Sequence, residues 1–318
     1  MGDKVKAIGL FSGGLDSAIA ARLMMDQGIE VIALTFKTPF TSADWAVRMG
    51  ESLALDLRIV ECCYDYMEIV KRPRFGYGKS MNPCIDCKIF MLRKAREFME
   101  SERASFVFTG EVLGQRPMSQ QMGQLRLIEK ESGLGGYLLR PLSAKLLEPT
   151  IPEMEGVVDR EKLLGIRGRG RREQIALARR FGFEEFATPA GGCLLTDPGF
   201  SVRLKEALDH SEEDVELLKV GRHFRTESGG KIIVGRNEEE NRRIEDLAGE
   251  KDALLEILDF PGPTVLLKNS TEKDVDIAAS LALAYSDCKE DKAHAIVRRE
   301  GREEIMEAIR GLEAHMIR

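Results

Sequence analysis

The chain has no uninterrupted apolar run approaching the roughly 18 residues that span a bilayer as a helix, which argues against a helical membrane protein and leaves no membrane partner to expect. It also lacks an excess of basic charge. Lys plus Arg number 47 against 53 Asp plus Glu, a formal net charge of −6, so any contact with nucleic acid has to come from local patches rather than from a broad positive field. No internal repeat and no low-complexity tract interrupts the sequence. The six cysteines of this 318-residue chain do not form the dense disulfide framework of a small secreted domain, so some of them are expected to serve metal, redox or catalytic chemistry. The opening stretch MGDKVKAIGLF runs directly into a glycine-rich loop, leaving no room for a signal or transit peptide. A cytoplasmic location is expected.

With 43% hydrophobic and 31% charged residues, the composition is that of a chain folded throughout, and the length implies about two domains at roughly 150 residues each. Val5 to Phe11 is a short run of strand formers. SGGLDS follows, and then Ala18, Ile19, Ala20, Leu23 and Met24 recur at helical spacing up to Gly28. Val31 to Phe36 reads as a second buried strand, so the first 36 residues form a βαβ unit whose crossover implies a parallel sheet. The alternation continues through a helix near Ser42–Ala54, a strand at Leu57–Val60, a helix at Ile85–Ser101 and a strand at Ser105–Thr109. The expected fold class is therefore α/β, a doubly wound parallel sheet with its site at the carboxyl ends of the strands. Gly110 to Gly136, and the segment from Arg140 through Pro149 and Pro152, read as loops over that face, before helices resume at Arg171–Phe181 and Ser201–Asp209. Near Asp209 the composition shifts. A capped helix opening at Ser211, strands at Lys231–Gly235 and Thr264–Leu267, and a helix at Asp274–Tyr285 describe a smaller C-terminal α+β domain, giving domains 1–210 and 211–318.

Ser12-Gly13-Gly14-Leu15-Asp16-Ser17 lies between strand and helix, where free backbone N–H groups and the positive helix end form an anion site and glycine admits a phosphate closely. It matches neither the Walker pattern nor the dinucleotide fingerprint. SGGLDS resembles the signature of the PP-loop ATP pyrophosphatases, which include GMP synthetases, NAD synthetases and tRNA thiolases. That resemblance implies an adenine-nucleotide alpha hydrolase (HUP-like) sheet and cleavage of ATP between its α and β phosphates, with adenylylation of an acceptor oxygen. It further implies that Ser12, Gly13, Gly14 and Ser17 hold pyrophosphate while Asp16 helps hold Mg²⁺ and takes part in catalysis.

Asn82-Pro83-Cys84-Ile85-Asp86-Cys87 places a C-x-x-C at the start of a helix, a position that lowers a thiol pKa or offers two ligands to one metal. Cys193 stands in a second glycine-rich segment, Ala190-Gly191-Gly192-Cys193-Leu194. Cys62, Cys63 and Cys288 have no partner at ligand spacing and read as small buried hydrophobes. The two segments resemble the cysteine sites of tRNA 2-thiouridylases, which implies Cys84 and Cys193 as catalytic thiols, one attacking and one carrying persulfide. The stretch Thr109-Gly110-Glu111-Val112-Leu113-Gly114-Gln115, continued by Ser119-Gln120 and by Leu139-Arg140-Pro141-Leu142, instead resembles tRNA 4-thiouridine synthetases, placing Gly110 and Gln115 beside ATP. A third group of thiolases holds a 4Fe–4S cluster on a C-x-x-C and one distant cysteine, a count that Cys84, Cys87 and Cys193 also meet. Persulfide and cluster both stay open. The cluster is favoured because the second cysteine of the C-x-x-C is present and no rhodanese-like carrier is evident.

Arg167-Gly168-Arg169-Gly170-Arg171-Arg172, followed by Arg179 and Arg180, is the densest basic stretch, and its Arg167, Arg169, Arg171 and Arg172 suit phosphates. Lys71, Arg72, Arg74 and Lys79 form a second segment with Phe75 and Tyr77 interleaved. Gly229 to Asn237, Asn241, Pro261-Gly262-Pro263 and Ala284-Tyr285-Ser286 together resemble the RNA-binding domain of NFACT-type factors, which implies RNA contacts at Lys231, Arg236 and Asn237. The expected activity is ATP-dependent transfer of sulfur to a tRNA uridine at position 2 or 4, with tRNA and a sulfur donor as partners. A small-molecule ligase built on the same loop is the alternative, and it has no need of the three cysteines.

Overall fold

A computed structural model describes residues 4–183, 185–186, 192–212 and 214–317. They divide into two compact units, Met1–Thr196 and Asp197–Arg318. In the first, β1 (Lys6–Leu10), α1 (Leu15–Met25), β2 (Glu30–Lys37), α2 (Asp44–Ser52), β3 (Asp56–Glu61), α3 (Tyr64–Lys71), α4 (Cys84–Ser101), β4 (Phe106–Thr109), α5 (Met122–Ser132), β5 (Leu138–Leu139), α6 (Ile151–Met154) and α7 (Arg172–Phe181) follow one another. The five strands pair in parallel in the order β3-β2-β1-β4-β5. Every residue of β4 is buried, as are all but the two ends of β2, which is why these strands read as continuous apolar runs: helices cover both faces of a parallel sheet. The chain order reverses between β1 and β4. At such a switch point the loops leaving the two strands open a crevice at the carboxyl edge, and here those loops are 11–14 and 110–121.

α1 carries Leu15, Ala18, Ile19, Ala20, Ala21, Leu23 and Met24 buried, an almost fully apolar helix whose small side chains let the sheet and α7 pack closely on it. Gly110 to Gly136 is not the continuous loop expected. Leu125, Ile128 and Ser132 bury one face of α5, and Gly133 caps it in the left-handed region (φ +73°). β5 is likewise concealed by the glycines and proline that flank its two residues, and α3 is a further helix not expected from the sequence.

The second unit contains α8 (Pro198–Asp209), α9 (Val215–Leu218), β6 (Arg222–Arg225), β7 (Lys231–Val234), α10 (Glu238–Leu247), β8 (Ala253–Ile257), β9 (Val265–Lys268), α11 (Glu272–Ala284), β10 (Lys292–Arg299), β11 (Arg302–Ile309) and β12 (His315–Met316). Its seven strands form an antiparallel sheet, β11-β10-β8-β9-β7-β6-β12. Alternation divides the core: Ile232 and Val234 pack with Ala278, Ala282 and Leu283 of α11, whereas Ile233 joins Ile244 of α10 and Leu217 of α9. The units part at Asp197 rather than near residue 210. Asp197 caps α8 through Phe200 N at 2.6 Å, Arg203 Nε donates to Leu218 O at 3.0 Å, and Glu206 binds Arg225 at 2.6 Å, so α8 is fastened to the second sheet. Among the described residues no helix is long and apolar enough to cross a membrane.

Candidate active site

The loop after β1 is built to leave donors free. Gly14 is the N-cap of α1 and supplies no side-chain cap, so the N–H groups of the first turn stay open to a ligand. Ser17 Oγ donates to Gly14 O at 2.8 Å and stands 3.3 Å from Ser12 Oγ, which gathers both hydroxyls at the helix end. Gly13 has φ +70°, and a Cβ there would run into the Trp45 carbonyl, so the start of α2 backs directly onto the loop. A Cβ on Gly110 would lie 2.5 Å from Ser17 N. Only glycine lets the post-β4 loop approach this closely. Gln115 Nε2 then donates to Asp16 Oδ2 at 2.8 Å, and Asp16 Oδ1 and Gln115 Oε1 are buried without a hydrogen-bond partner. Two orphaned acceptor oxygens beside an anion cradle are a donor set of the hard, oxygen type that Mg²⁺ takes.

The basic stretch joins the same edge. Gly168 N donates to Leu113 O at 2.7 Å, and Arg22 near the end of α1 lies over the Phe181 ring at the end of α7, 5.7 Å from its centroid. The carboxyl-terminal ends of the two helices therefore meet. Arg167, Arg169, Arg172, Arg179 and Arg180 are exposed and Arg171 half-buried, and none has a carboxylate partner among the described residues. Arg171 Nε and both amide atoms of the fully buried Gln174 are also unpartnered.

The thiols gather around Tyr66. Its hydroxyl, almost wholly buried, donates to Cys87 Sγ at 3.2 Å, and Asn82 Nδ2 donates to Cys84 Sγ at 3.1 Å. Asp86 accepts from Arg74 N and Phe75 N, both at 3.0 Å, pinning the loop before α4. Leu194 N donates to Phe40 O at 3.0 Å, and the Phe40 ring lies 6.1 Å from that of Tyr66. This brings Cys193 to the other two; Ala190 and Gly191 of its motif lie outside the described residues. Burial pushes the Cys193 thiol up to about 12, with Cys87 and Cys84 adding to the rise. Burial also raises Cys87, against the Tyr66 hydrogen bond and the Lys88 charge. Among the described residues no three His, Cys, Asp or Glu side chains stand close enough to hold a metal ion as a group. A four-iron cube takes one thiolate at each of three corners, a wider spacing than the ligands of a single ion, and the donor set of three gathered, partly or wholly buried thiols fits it in kind. Cys62 and Cys288 are buried as expected, but Cys63 is exposed.

One loop spans both centres. From Gly110, against the nucleotide loop, it runs to Met118, whose sulfur is 3.7 Å from Asn82 Nδ2. Between them Glu111, 2% exposed, accepts from Arg140 Nε at 3.2 Å and from Thr109 Oγ1 at 3.2 Å, and lies 3.7 Å from Lys88 Nζ. Burial opposes its ionisation, but Lys88 and Arg140 prevail and hold the carboxyl below the usual range. Glu111, Arg140, Lys88, Asn82 and Tyr66 were absent from the site residues expected from sequence; Glu111, Arg140 and Asn82 stand within quoted motifs, and Lys88 and Tyr66 have no pattern of their own.

In the second unit the expectation for Lys231 does not hold. It is 2% exposed and its ammonium is paired with Glu206, because β7 is an interior strand of the sheet. Asn237 Oδ1 caps α10 through Glu240 N at 2.9 Å, and Arg236, accessible, is forked onto Glu240.

The arrangement so far is an anion cradle, a pair of orphaned acceptor oxygens on Asp16 and Gln115 and a cluster of thiols, joined by the loop after β4. Residues 2–145 match the family model of the thiamine biosynthesis protein ThiI. The ThiI match contains the nucleotide loop, the Cys84/Cys87 helix and the Glu111 loop, and it ends before Cys193. Residues 221–315 match the NFACT protein RNA binding domain. Similar curated proteins include a probable tRNA sulfurtransferase of Methanosarcina mazei, 33% identical over 36% of this chain and 30% of that protein. Another, from Methanothermobacter thermautotrophicus, is 24% identical over 69% of this chain and 54% of its own length. A tRNA-specific 2-thiouridylase of Petrotoga mobilis is 31% identical over 34% of this chain and 35% of that enzyme. The chain thus spans between about a third and a half of the length of these relatives, and both sulfurtransferase and 2-thiouridylase likenesses foreseen in the sequence are found.

Proposed function

We propose that the chain is an ATP-dependent tRNA uridine sulfurtransferase, with the first unit catalytic and the second contributing RNA affinity. The observation that carries this reading is the loop 110–121, which touches Asp16 at one end and the Asn82–Cys84 pair at the other. A phosphate cradle alone would serve a small-molecule ligase equally well. Three gathered thiols beside it serve sulfur chemistry.

Uracil oxygen is a poor leaving group, and an O-adenylyl group is a good one. Ser12, Ser17 and the open N–H groups of α1 would take the pyrophosphate that leaves ATP, while the orphaned Asp16 Oδ1 and Gln115 Oε1 would hold Mg²⁺. Cys84, Cys87 and Cys193 would hold a 4Fe–4S cluster, which when bound supplies an iron with an open position for sulfide. Tyr66 and Asn82 hydrogen bonds fix the direction of Cys87 and Cys84. The unpaired arginines of 167–172 would grip tRNA phosphates. A sulfide or persulfide donor is required, and tRNA as substrate would place the work in the cytoplasm.

The test is mass spectrometry of tRNA nucleosides after incubating anaerobic protein with ATP, Mg²⁺, sulfide and unmodified tRNA. A thiouridine, 2- or 4-substituted, is expected, absent with Asp16→Asn. ATP cleavage to AMP without any thionucleoside, or normal pyrophosphate release by Asp16→Asn, would refute the assignment.

A further inference from the structure

We propose that Lys88 binds the α-phosphate of the nucleotide and stays on it as the adenylyl group passes to the tRNA base and departs as AMP; this rests on the sulfurtransferase reading above. Lys88 follows Cys87 on α4 and reaches toward Glu111, the residue after Gly110. Gly110 in turn abuts the backbone of Asp16 and Ser17. The ammonium therefore stands between the nucleotide loop and the thiols. Its 3.7 Å separation from Glu111 Oε1 is an ion pair but not a hydrogen bond, and that oxygen has no other partner although buried. The contrast with Arg140 is informative. Arg140, 3% exposed at its side chain, is consumed by Glu111, Glu129 and Leu125 O, whereas Lys88 keeps 29% of its side chain exposed and has no close hydrogen bond to any acceptor. An ammonium has three N–H donors. Glu111 holds its charge in place and leaves those donors for a second anion.

The α-phosphate is the anion that has to lie there. Pyrophosphate belongs to the cradle of Ser12, Ser17 and α1, and the phosphorus between that cradle and the sulfur centre is the one joined to the base. In the first step the uracil oxygen forms a bond to the α-phosphorus and pyrophosphate leaves with the P–O electron pair. In the second, sulfide sulfur bonds the ring carbon, the C–O bond breaks, and its electron pair goes to the departing AMP oxygen. Negative charge on the AMP phosphate rises in that step, and Lys88 faces it.

Calorimetric titration with AMP, adenosine and pyrophosphate separates this role from a structural one and needs no turnover. Lys88→Ala is expected to weaken AMP binding about tenfold or more, an effect of the size of one lost charge-assisted contact. Adenosine and pyrophosphate are expected to stay within about twofold. Lys88→Arg should recover most of the loss, and Lys94→Ala, farther along α4 and paired with Glu97, should bind like wild type. Lys88→Met, which keeps the apolar stem, gives the same reading if the alanine variant melts early. Unchanged AMP affinity, or equal weakening of all three ligands, overturns the proposal. If wild type binds AMP and Lys88→Ala loses it while wild type forms no thiouridine, the sulfurtransferase reading fails and the phosphate contact stands; a wild type that forms thiouridine but binds no AMP overturns the Lys88 proposal alone.

Discussion

Cys193 lies where ionisation is costly. Burial pushes its thiol up, and it is the thiolate that attacks or ligates. Iron would offset that cost, since a coordinated thiol is deprotonated outright. Protein purified without oxygen is therefore expected to be brown with about four irons per chain, and Cys87→Ser to lose both colour and thiolation. A colourless anaerobic protein whose Cys87→Ser variant still thiolates tRNA would leave the persulfide route on Cys84 and Cys193. These cysteines and the SGGLDS loop were legible because each is a local pattern at a recognisable boundary. The Lys88–Glu111–Arg140 group was not, since its bonds join three different elements. Lys231 was misread for a related reason: KIIVG looks like a strand opened by a surface base, and nothing in those five letters reports that both neighbours of β7 are strands.

At the scale of elements, β1, α1, β2, α4 and α7 followed from periodicity and differ from expectation only by a few residues at their ends. The hairpin of β10 and β11 went unread. Seven of the sixteen residues in its strands are charged, which hides the apolar alternation, and its two-residue turn is Glu300-Gly301 at φ +50° and +72° where Asn-Gly or Asp-Gly is the stronger signal. α11 offers a sharper test of local chemistry. Asp274 accepts from Thr271 N at 2.7 Å and Thr271 Oγ1 at 2.9 Å and also binds Ser228. Burial raises its pKa, but the hydrogen bonds from Ser228, Thr226 and Thr271 outweigh it and bring it down to about 2. The folded value lies below the ordinary carboxylate value of about 3.9, so the stabilisation is complete above that pH and is lost as pH falls toward 2. Asp274→Asn is expected to destabilise the second unit by about 1–2 kcal/mol at pH 7, read from hydrogen exchange of segments in β7 and α11, with the difference from wild type shrinking below pH 4. A difference that persists unchanged at pH 2 would mean the carboxylate charge is irrelevant to the cap.

The whole molecule is acidic, with a net charge of −6, yet the arginines of 167–172 and α7 have no carboxylate partner among the described residues. Affinity for tRNA should therefore fall with salt, because phosphate contacts release counterions. Arg167, Arg169 and Arg172 changed together to Ala are expected to weaken binding to all tRNAs alike and to flatten the salt slope by up to about 0.7–0.9 per arginine; an unchanged slope would remove them from the interface. Length alone anticipated two domains. The boundary was placed too late because α8 continues the helical pattern of the first unit and only its ion pairs with Arg225 and Lys231 reveal the sheet that owns it. The chain's one tryptophan, Trp45, has its backbone carbonyl against Gly13 of the nucleotide loop and the Arg48 guanidinium 4.9 Å from its ring centroid. The molecule thus carries a single built-in optical gauge on the residue whose backbone abuts its nucleotide loop: indole emission comes from one place, and a change in it on filling that loop would be timed in a stopped-flow cell with no label attached.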